Sequence, residues 1–321
     1  MKIDYEENRI GGKTFRVPAT RINEATVIVT GKWVKTAAVK DEDVFEGNPV
    51  ADPGAFVAQL TASGLKADIF AFAQKPVETE PKCDYHMEWD NAAVISLKSY
   101  ADWLAALSQD TRRNVRRAAK VGVDIKVVPF DDELVRGITE IYNETPIRQG
   151  RRFYHYGKGF DAVKEETGTY LERSTFIGAY YDNALIGFCK LIYSDEYGNI
   201  IHILSKNEHT DKRPSNALVA KAVEICAERG LSYVTYCKYV YGKNDGSPLT
   251  EFKRRNGFEK LLYPRYYVPL TMKGRIVLAL NLHHGLSNLL PKRLVAVLLD
   301  LRAKFFQVAS RKAAVAAESS S

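Results

Sequence analysis

The chain has 321 residues, with 45% hydrophobic and 26% charged residues. These fractions are ordinary for a globular protein and exclude disordered, collagen-like and coiled-coil chains. The length predicts two domains. No apolar run approaches the eighteen or so residues of a spanning helix, and the first residues do not resemble a signal peptide, so we expect a cytoplasmic protein. The four cysteines form no Cys-x-x-Cys pair, which argues against a disulfide framework or a zinc cluster.

The net charge of +7 is concentrated at one end of the chain. Residues 272–321 hold eight basic and two acidic residues, so the remainder is nearly neutral. Within this segment, residues 290–312 place an apolar stripe opposite a basic one at helical spacing. We expect a basic amphipathic helical tail that either docks on the body or makes a peripheral contact with an anionic membrane.

The first hundred residues alternate strand and helix patterns. Asp52-Pro53 is typical of a helix start, and that helix is expected to end near Gly64. Strand composition occurs at 13–18, 25–30, 67–72 and 85–96. This part of the chain is therefore predicted to form an α/β unit.

Two helices are predicted next, over residues 99–107 and 111–122. The second has a strongly basic side. Because like charges on one helix face repel one another, we expect an anionic partner such as a tRNA, a nucleotide-linked sugar or a lipid phosphate. A solvated helix face is the alternative. The basic residues are Arg112, Arg113, Arg116, Arg117 and Lys120.

The following residues predict a second unit. Acidic residues at 131–133 suit a helix start, and that helix reaches Tyr142. Pro214 begins another helix, which ends at Gly230, and Ser247-Pro248 begins a short one that ends at Asn256-Gly257. The predicted strands are an antiparallel meander over 175–181, 184–193 and 200–206, a strand over 231–236, and closing strands over 258–262 and 266–270.

This order of elements resembles that of GNAT acyltransferases. Residues 252–258, Phe-Lys-Arg-Arg-Asn-Gly-Phe, resemble the superfamily's closing Y/F-x-x-x-G-F signature. The pair Phe252-Lys253, together with residues 112–118, more narrowly resembles the Fem family. The resemblance covers residues 100–270. It implies an α/β (mixed α+β) fold with a mixed central sheet, two GNAT-like halves at 1–109 and 110–271, and the tail at 272–321.

The resemblance also implies a donor site. In this fold two parallel strands splay apart around the acyl arm, here 200–206 and 231–236, and the helix that begins at Pro214 presents its amino end to phosphates. GNAT enzymes that use acyl-CoA have a glycine loop at this point, whereas this chain has a proline, which lacks an amide donor. The donor is therefore either acyl-CoA or, as in Fem-type members, aminoacyl-tRNA, and no tightly bound cofactor is expected. The donor-site candidates are Ser205, Lys212, Arg213, Ser215 and Asn216.

The catalytic candidates are Lys253, His155 and Tyr236. The resemblance implies that the Lys253 ammonium stabilises an oxyanion; the alternative is that Lys253 belongs to a solvated helix face with its arginine neighbours. His155, or else His202, is a general-base candidate because histidine titrates near neutrality, although a lone histidine is more often structural. Tyr236 would lie at the mouth of the splay.

The acceptor candidates are basic and aromatic side chains, namely Arg112, Arg116, Arg148, Arg152 and Tyr156. No metal site is expected, because His283-His284 has no carboxylate or cysteine near it in sequence. The sequence thus predicts transfer of an acyl or aminoacyl group to an amine or hydroxyl, such as that of a cell-envelope glycan or lipid precursor. The alternative is a non-catalytic module that binds RNA or an anionic membrane.

Overall fold

The computed structural model describes residues 3–10, 13–242 and 246–284. The predicted helix at 290–312 lies outside them. The strands are β1 (Asp4–Ile10), β2 (Lys13–Ile22), β3 (Ala25–Thr30), β4 (Thr36–Val39), β5 (Ile69–Ala73), β6 (His86–Ser96), β7 (Asp124–Val128), β8 (Ile147–Arg148), β9 (Arg151–Arg152), β10 (Ser174–Tyr181), β11 (Ala184–Ser194), β12 (Tyr197–Ser205), β13 (Tyr233–Thr235) and β14 (Glu259–Pro269). The α-helices are α1 (Pro53–Ala62), α2 (Tyr100–Ala106), α3 (Gln109–Lys120), α4 (Asp132–Asn143), α5 (Phe160–Thr167), α6 (Pro214–Glu228), α7 (Pro248–Arg255) and α8 (Met272–Ala279).

Within these residues, twelve strands form one mixed sheet. Its order is β1-β2-β3-β4-β5-β14-β6-β13-β12-β11-β10-β7, and β8 and β9 form a separate hairpin. The predicted meander is confirmed, since β10, β11 and β12 pair antiparallel in sequence. The mixed α/β fold class is confirmed as well.

Helices cover both faces of the second part of the sheet. Alternate strand residues point to opposite faces. On β10, Phe176 belongs to the core cluster that includes residues of α4, while its neighbour Ile177 belongs to the one that includes residues of α2, α3 and α6. A separate core lies between α1 and the first part of the sheet, where Phe56 stacks on Phe70 with ring centroids 5.1 Å apart. The sheet therefore separates two layers of helices.

The closing strand differs from the prediction. The sequence predicts two strands, at 258–262 and 266–270, but β14 is a single strand that passes through Pro264. In a central strand the backbone N–H groups donate to the neighbouring strands on both sides, and proline has no N–H to donate. Here the Pro264 carbonyl accepts from the Gln74 amide at 3.0 Å, just where β5 ends, and β14 pairs with β5 only from Arg265 onward. Pro264 therefore lies where the pairing of β14 with β5 begins, and not in the middle of that pairing.

The two strands expected to diverge do so. β12 and β13 pair in parallel over only three positions, from Tyr197 and Tyr233 to Asn199 and Thr235. Beyond them β12 runs on to Ser205, whereas the chain after β13 stays with β6 through the amide of Tyr236 and the carbonyl of Cys237. The predicted splay is confirmed, and it leaves a gap between adjacent strands.

Candidate functional site

Lys253 lies at this gap. It is on α7, which begins at Pro248 after the Ser247 cap, and its side chain is completely buried. Its Nζ donates to the backbone carbonyls of Tyr236, at 2.9 Å, and Lys238, at 2.5 Å. The alternative of a solvated helix face is therefore wrong for Lys253.

The surroundings of Lys253 hold its side chain in place and lower its pKa. The Nζ atom is 4.3 Å from the ring centroid of Tyr236 and 5.0 Å from that of Tyr241, so the cation faces two aromatic rings. Burial lowers the pKa of Lys253 to about 8. An ammonium has three N–H donors, and two of them are used by the backbone. The third has no acceptor among the described residues.

Tyr236, a predicted catalytic residue, lies beside Lys253. Its ring packs against Phe258, with centroids 5.9 Å apart. Burial raises the pKa of Tyr236 well above its usual value, so its phenol keeps its proton at neutral pH. The Cys237 Sγ atom lies 3.8 Å from the carbonyl of Ile200, which places this thiol across the gap between the separated strands. Sequence reasoning misses Cys237 and Tyr241, because only the fold brings them to Lys253.

His155 and His202 occupy one aromatic cluster with Tyr142, next to the gap. Their ring centroids are 5.1 Å apart, and His202 Nε2 is 3.2 Å from the Tyr142 hydroxyl. Burial lowers the pKa of His202 to about 4, so that ring is neutral at pH 7. His155 is 2% exposed, and its Nδ1 already faces Glu166 at 3.3 Å and Lys158 at 3.2 Å. This placement favours a supporting role for His155 over a general base.

The donor-site candidates fall into two groups. Ser205, at the end of β12, and Ser215, in the first turn of α6, share a hydroxyl hydrogen bond of 2.8 Å. Asn216 donates to the Asn256 side chain at 3.0 Å, which joins α6 to the end of α7. Ser205, Ser215 and Asn216 are thus brought together at the open end of the gap.

The two basic donor-site candidates are arranged differently. Arg213 is exposed and adopts a left-handed conformation, with φ 60°, immediately before α6. Lys212 turns toward Tyr181, with its Nζ 4.6 Å from the ring centroid, and lies 3.6 Å from Asp211. Arg213 is therefore the more available cation at the amino end of α6.

Arg148 requires a correction. The sequence predicts that it faces the acceptor, but its guanidinium donates to the carbonyls of Ser205, at 2.7 Å, and Ile141, at 3.0 Å, and to the Glu144 carboxylate at 2.8 Å. It holds the end of β12 from inside the fold. Its neighbours Arg152 and Tyr156 are exposed and remain acceptor candidates.

The basic side of α3 is also less free than predicted. Arg112 donates to the carbonyls of Ala105 and Leu107 at 2.8 and 2.7 Å, so it completes the carboxyl end of α2 instead of facing solvent. Arg117 donates to the carbonyl of Asp211 at 2.7 Å. Arg116 is exposed and stays available to an anionic partner.

A cavity of about 60 Å³ adjoins the Tyr236–Lys238 segment. Three of the charged residues that line it form ion pairs with other residues of the protein. These pairs are Lys75 with Asp195 at 3.1 Å, Lys238 with Asp90 at 2.9 Å, and Glu42 with Arg265 at 3.1 Å. Asp43 has no ion-pair partner among the described residues. Asn199, Thr235, Cys237 and Tyr263 line the same cavity.

The expectation that no carboxylate lies near His283-His284 is wrong. Glu88 on β6 contacts His283 Nε2 at 2.8 Å and His284 Nε2 at 2.6 Å. The sequence could not show this, because nearly two hundred residues separate Glu88 from the two histidines.

Comparison with known proteins supports the fold. Neither a comparison of the sequence with protein-family models nor one with curated proteins finds a match. Among solved structures, FemX is similar with a TM-score of 0.52 at 11% identity, over 81% of this chain and 88% of that one. L-PGS from Bacillus licheniformis has a TM-score of 0.52 at 12% identity, over 80% and 85% of the two chains.

At these identities the similarity establishes a shared fold. The chain therefore shares its fold with FemX and L-PGS over most of its length, in agreement with the Fem-like fold that the sequence resemblance implied. None of the described helices has the length and hydropathy that crossing a bilayer requires.

Proposed function

We propose that this chain transfers an acyl or aminoacyl group from an activated donor to an amine or hydroxyl group of an acceptor. The observation that carries the proposal is the fixed Lys253 ammonium at the gap between β12 and the chain that follows β13. A gap between parallel strands leaves backbone groups unpaired, and these can hold an extended donor arm. A buried cation beside that arm stabilises negative charge that develops on the carbonyl oxygen.

The proposed reaction has these steps. The acceptor's nitrogen or oxygen attacks the donor carbonyl carbon and forms the new bond, while the bond to the leaving thiolate or ribose oxygen breaks. Lys253 faces the oxyanion of the intermediate. The Tyr236 phenol, which keeps its proton at neutral pH, is our candidate for protonating a ribose oxygen, since an alkoxide is basic enough to take a proton from so weak an acid; a thiolate can leave unprotonated and take its proton from solvent. The acceptor loses its own proton to a base, for which the unpaired Asp43 carboxylate of the adjoining cavity is our candidate.

The donor is an acyl-CoA or an aminoacyl-tRNA, each of which is polyanionic. Arg213 and the first amides of α6 form the phosphate end of this site, and Ser205, Ser215 and Asn216 line its entrance. Because Pro214 removes one backbone donor, the tRNA ester is the stronger candidate. Arg116, Arg152 and Tyr156 are the exposed groups available to a large anionic substrate, and a cell-envelope glycan or lipid precursor is the acceptor class that we propose.

The test combines donor binding with donor turnover. The purified full-length chain is heated with acetyl-CoA, aminoacyl-tRNA or uncharged tRNA, and the true donor raises the melting temperature most because it binds only the native state. Loss of the acyl group from that donor is then measured. Lys253→Met lowers the rate by a factor of about 100 or more, as removal of an oxyanion donor does. The matched control Lys260→Met, at an exposed lysine of β14, leaves it unchanged.

A non-catalytic module that binds RNA or an anionic membrane is the second candidate function. The absent glycine loop and Phe252, in place of the acid tyrosine of many GNAT enzymes, favour it. This candidate predicts equal stabilisation by charged and uncharged tRNA, or stabilisation by anionic vesicles, without any loss of the acyl group. That outcome would rule out the transferase, whereas a Lys253→Met variant that turns over donor at the wild-type rate would rule out the oxyanion role of Lys253.

A further inference from the structure

Four side chains converge on the face of the sheet that α8 covers, away from Lys253. His86 and Glu88 are two positions apart on β6 and therefore point to the same face. The chain that leaves α8 brings His283 and His284 onto this face. Glu88 Oε1 is 2.8 Å from His283 Nε2 and 3.6 Å from His86 Nε2, and Glu88 Oε2 is 2.6 Å from His284 Nε2.

The separations suit a metal ion. One ligand atom each from His86, Glu88 and His283 lies within 4.8 Å of the other two. Zinc binds imidazole nitrogen and carboxylate oxygen at about 2.0 to 2.2 Å, so its ligand atoms are about 3.3 Å apart in a tetrahedron. Glu88 Oε1 is already near that spacing from His283 and His86, and one nitrogen of each imidazole lies within 4.8 Å of the other. His284, which contacts the second oxygen of Glu88 at 2.6 Å, is the neighbouring candidate for a fourth ligand.

The surroundings hold the imidazoles in place. His283 is buried, with its side chain 2% exposed, and its Nδ1 has no hydrogen-bond partner among the described residues. This nitrogen is the ring atom that does not contact Glu88, so Nε2 is the atom of His283 that the geometry offers to a metal. The Tyr267 ring packs 4.6 Å from the His283 ring and 5.8 Å from the His284 ring, which restricts both. Restricted ligands lose less conformational entropy when they bind a metal.

We propose that His86, Glu88 and His283, with His284 as the fourth ligand, form a binding site for a divalent transition metal, with zinc the expected ion. Three imidazoles and one carboxylate suit zinc better than magnesium or calcium, which prefer ligand sets made of oxygen. With all four protein ligands in place, the site is closed, as structural zinc sites are. The metal would cross-link β6 to the chain that follows α8, and so fix the start of the C-terminal segment to the sheet.

The test is direct titration of the full-length protein. After dialysis against a chelator, the wild type is titrated with zinc sulfate by calorimetry, and we expect one ion to bind per chain and to raise the melting temperature. Glu88→Gln and His283→Ala each weaken binding at least tenfold. His209→Ala, a histidine that faces Glu208 elsewhere on the surface, binds zinc as the wild type does.

Cobalt(II) supplies a second measurement that does not depend on stability. Cobalt in a tetrahedral site of nitrogen and oxygen ligands absorbs visible light far more strongly than the octahedral aqueous ion does, and Glu88→Gln should lose this strong absorption while keeping the wild-type circular dichroism. Absence of stoichiometric binding by the wild type would overturn the proposal. Equal zinc binding by the wild type, Glu88→Gln and His283→Ala would overturn it as well.

Discussion

Lys253 combines complete burial with a positive charge, and its energetics follow from that combination. Removal from water disfavours the charged form, and the two carbonyls and two aromatic rings around Nζ compensate only in part, so its pKa falls to about 8. The ammonium thus predominates below pH 8 and the neutral amine above it. A lysine with an ordinary pKa would stay charged throughout the physiological range.

This titration predicts a pH dependence of the reaction. If Lys253 stabilises the oxyanion as a cation, the rate of donor turnover falls as the pH rises through about 8, because the ammonium is lost. The measurement is the rate of donor hydrolysis between pH 6.5 and 9.5, with the spontaneous hydrolysis rate subtracted. Lys253→Arg, whose charge persists, retains part of the rate and loses the descending limb. A wild-type rate that stays level to pH 9.5 would contradict the assigned role.

The end of helix α7 explains why the signature at residues 252–258 contains a glycine. Gly257 has φ 83°, and the amides of Gly257 and Phe258 donate to the carbonyls of Arg254 and Lys253, the pattern of a Schellman cap. The Trp103 indole donates to the carbonyl of Asn256 at 3.1 Å. The glycine therefore ends the helix and turns the chain into β14, and the same cap fixes the backbone of Lys253.

Gly257→Ala is predicted to destabilise the protein by about 1–3 kcal/mol. The left-handed conformation costs a non-glycine residue about 1–2 kcal/mol, and the added Cβ would lie 3.0 Å from Trp103 Nε1 and 3.1 Å from Leu107 Cδ2. Gly230→Ala is the matched control, since φ is 69° there and no atom lies within 4 Å of the added Cβ. Urea unfolding of both variants measures the difference. If both variants lose the same free energy of unfolding, the contact of the added Cβ with Trp103 does not destabilise the protein.

Helices that begin at a capping residue could be predicted from the sequence. Asp131 and Ser247 cap α4 and α7 through the amides of Leu134 and Thr250, and both helices begin where those residues indicate. The position of Arg148 was not predictable, because its acceptors lie on α4 and at the end of β12. The same holds for most of the candidate site. Its side chains meet only after distant strands have paired.

The whole molecule depends on one such distant pairing. β14, near the end of the described chain, lies between β5 and β6; it pairs with β6 from Glu259 to Tyr267 and with β5 from Arg265 to Pro269. β6 in turn pairs with β13. The predicted boundary between residues 109 and 110 therefore cuts a chain whose two parts each complete the other's sheet. We infer that the two predicted halves form one folding unit.

Fragments 1–109 and 110–271 are thus predicted not to fold separately. The first lacks β14, the strand between β5 and β6, and the second lacks β6, the strand between β14 and β13. The full chain should unfold in one urea transition. Of the three tryptophans, Trp33 and Trp89 are exposed, whereas Trp103 is buried against residues of the second half and donates to the carbonyl of Asn256, so fluorescence reports on the packing of the two parts against each other while far-ultraviolet circular dichroism reports on the secondary structure of both. Coincident transitions indicate one unit. A fluorescence midpoint that differs from the dichroism midpoint, or a fragment 1–109 that unfolds cooperatively alone, would instead establish two independent domains.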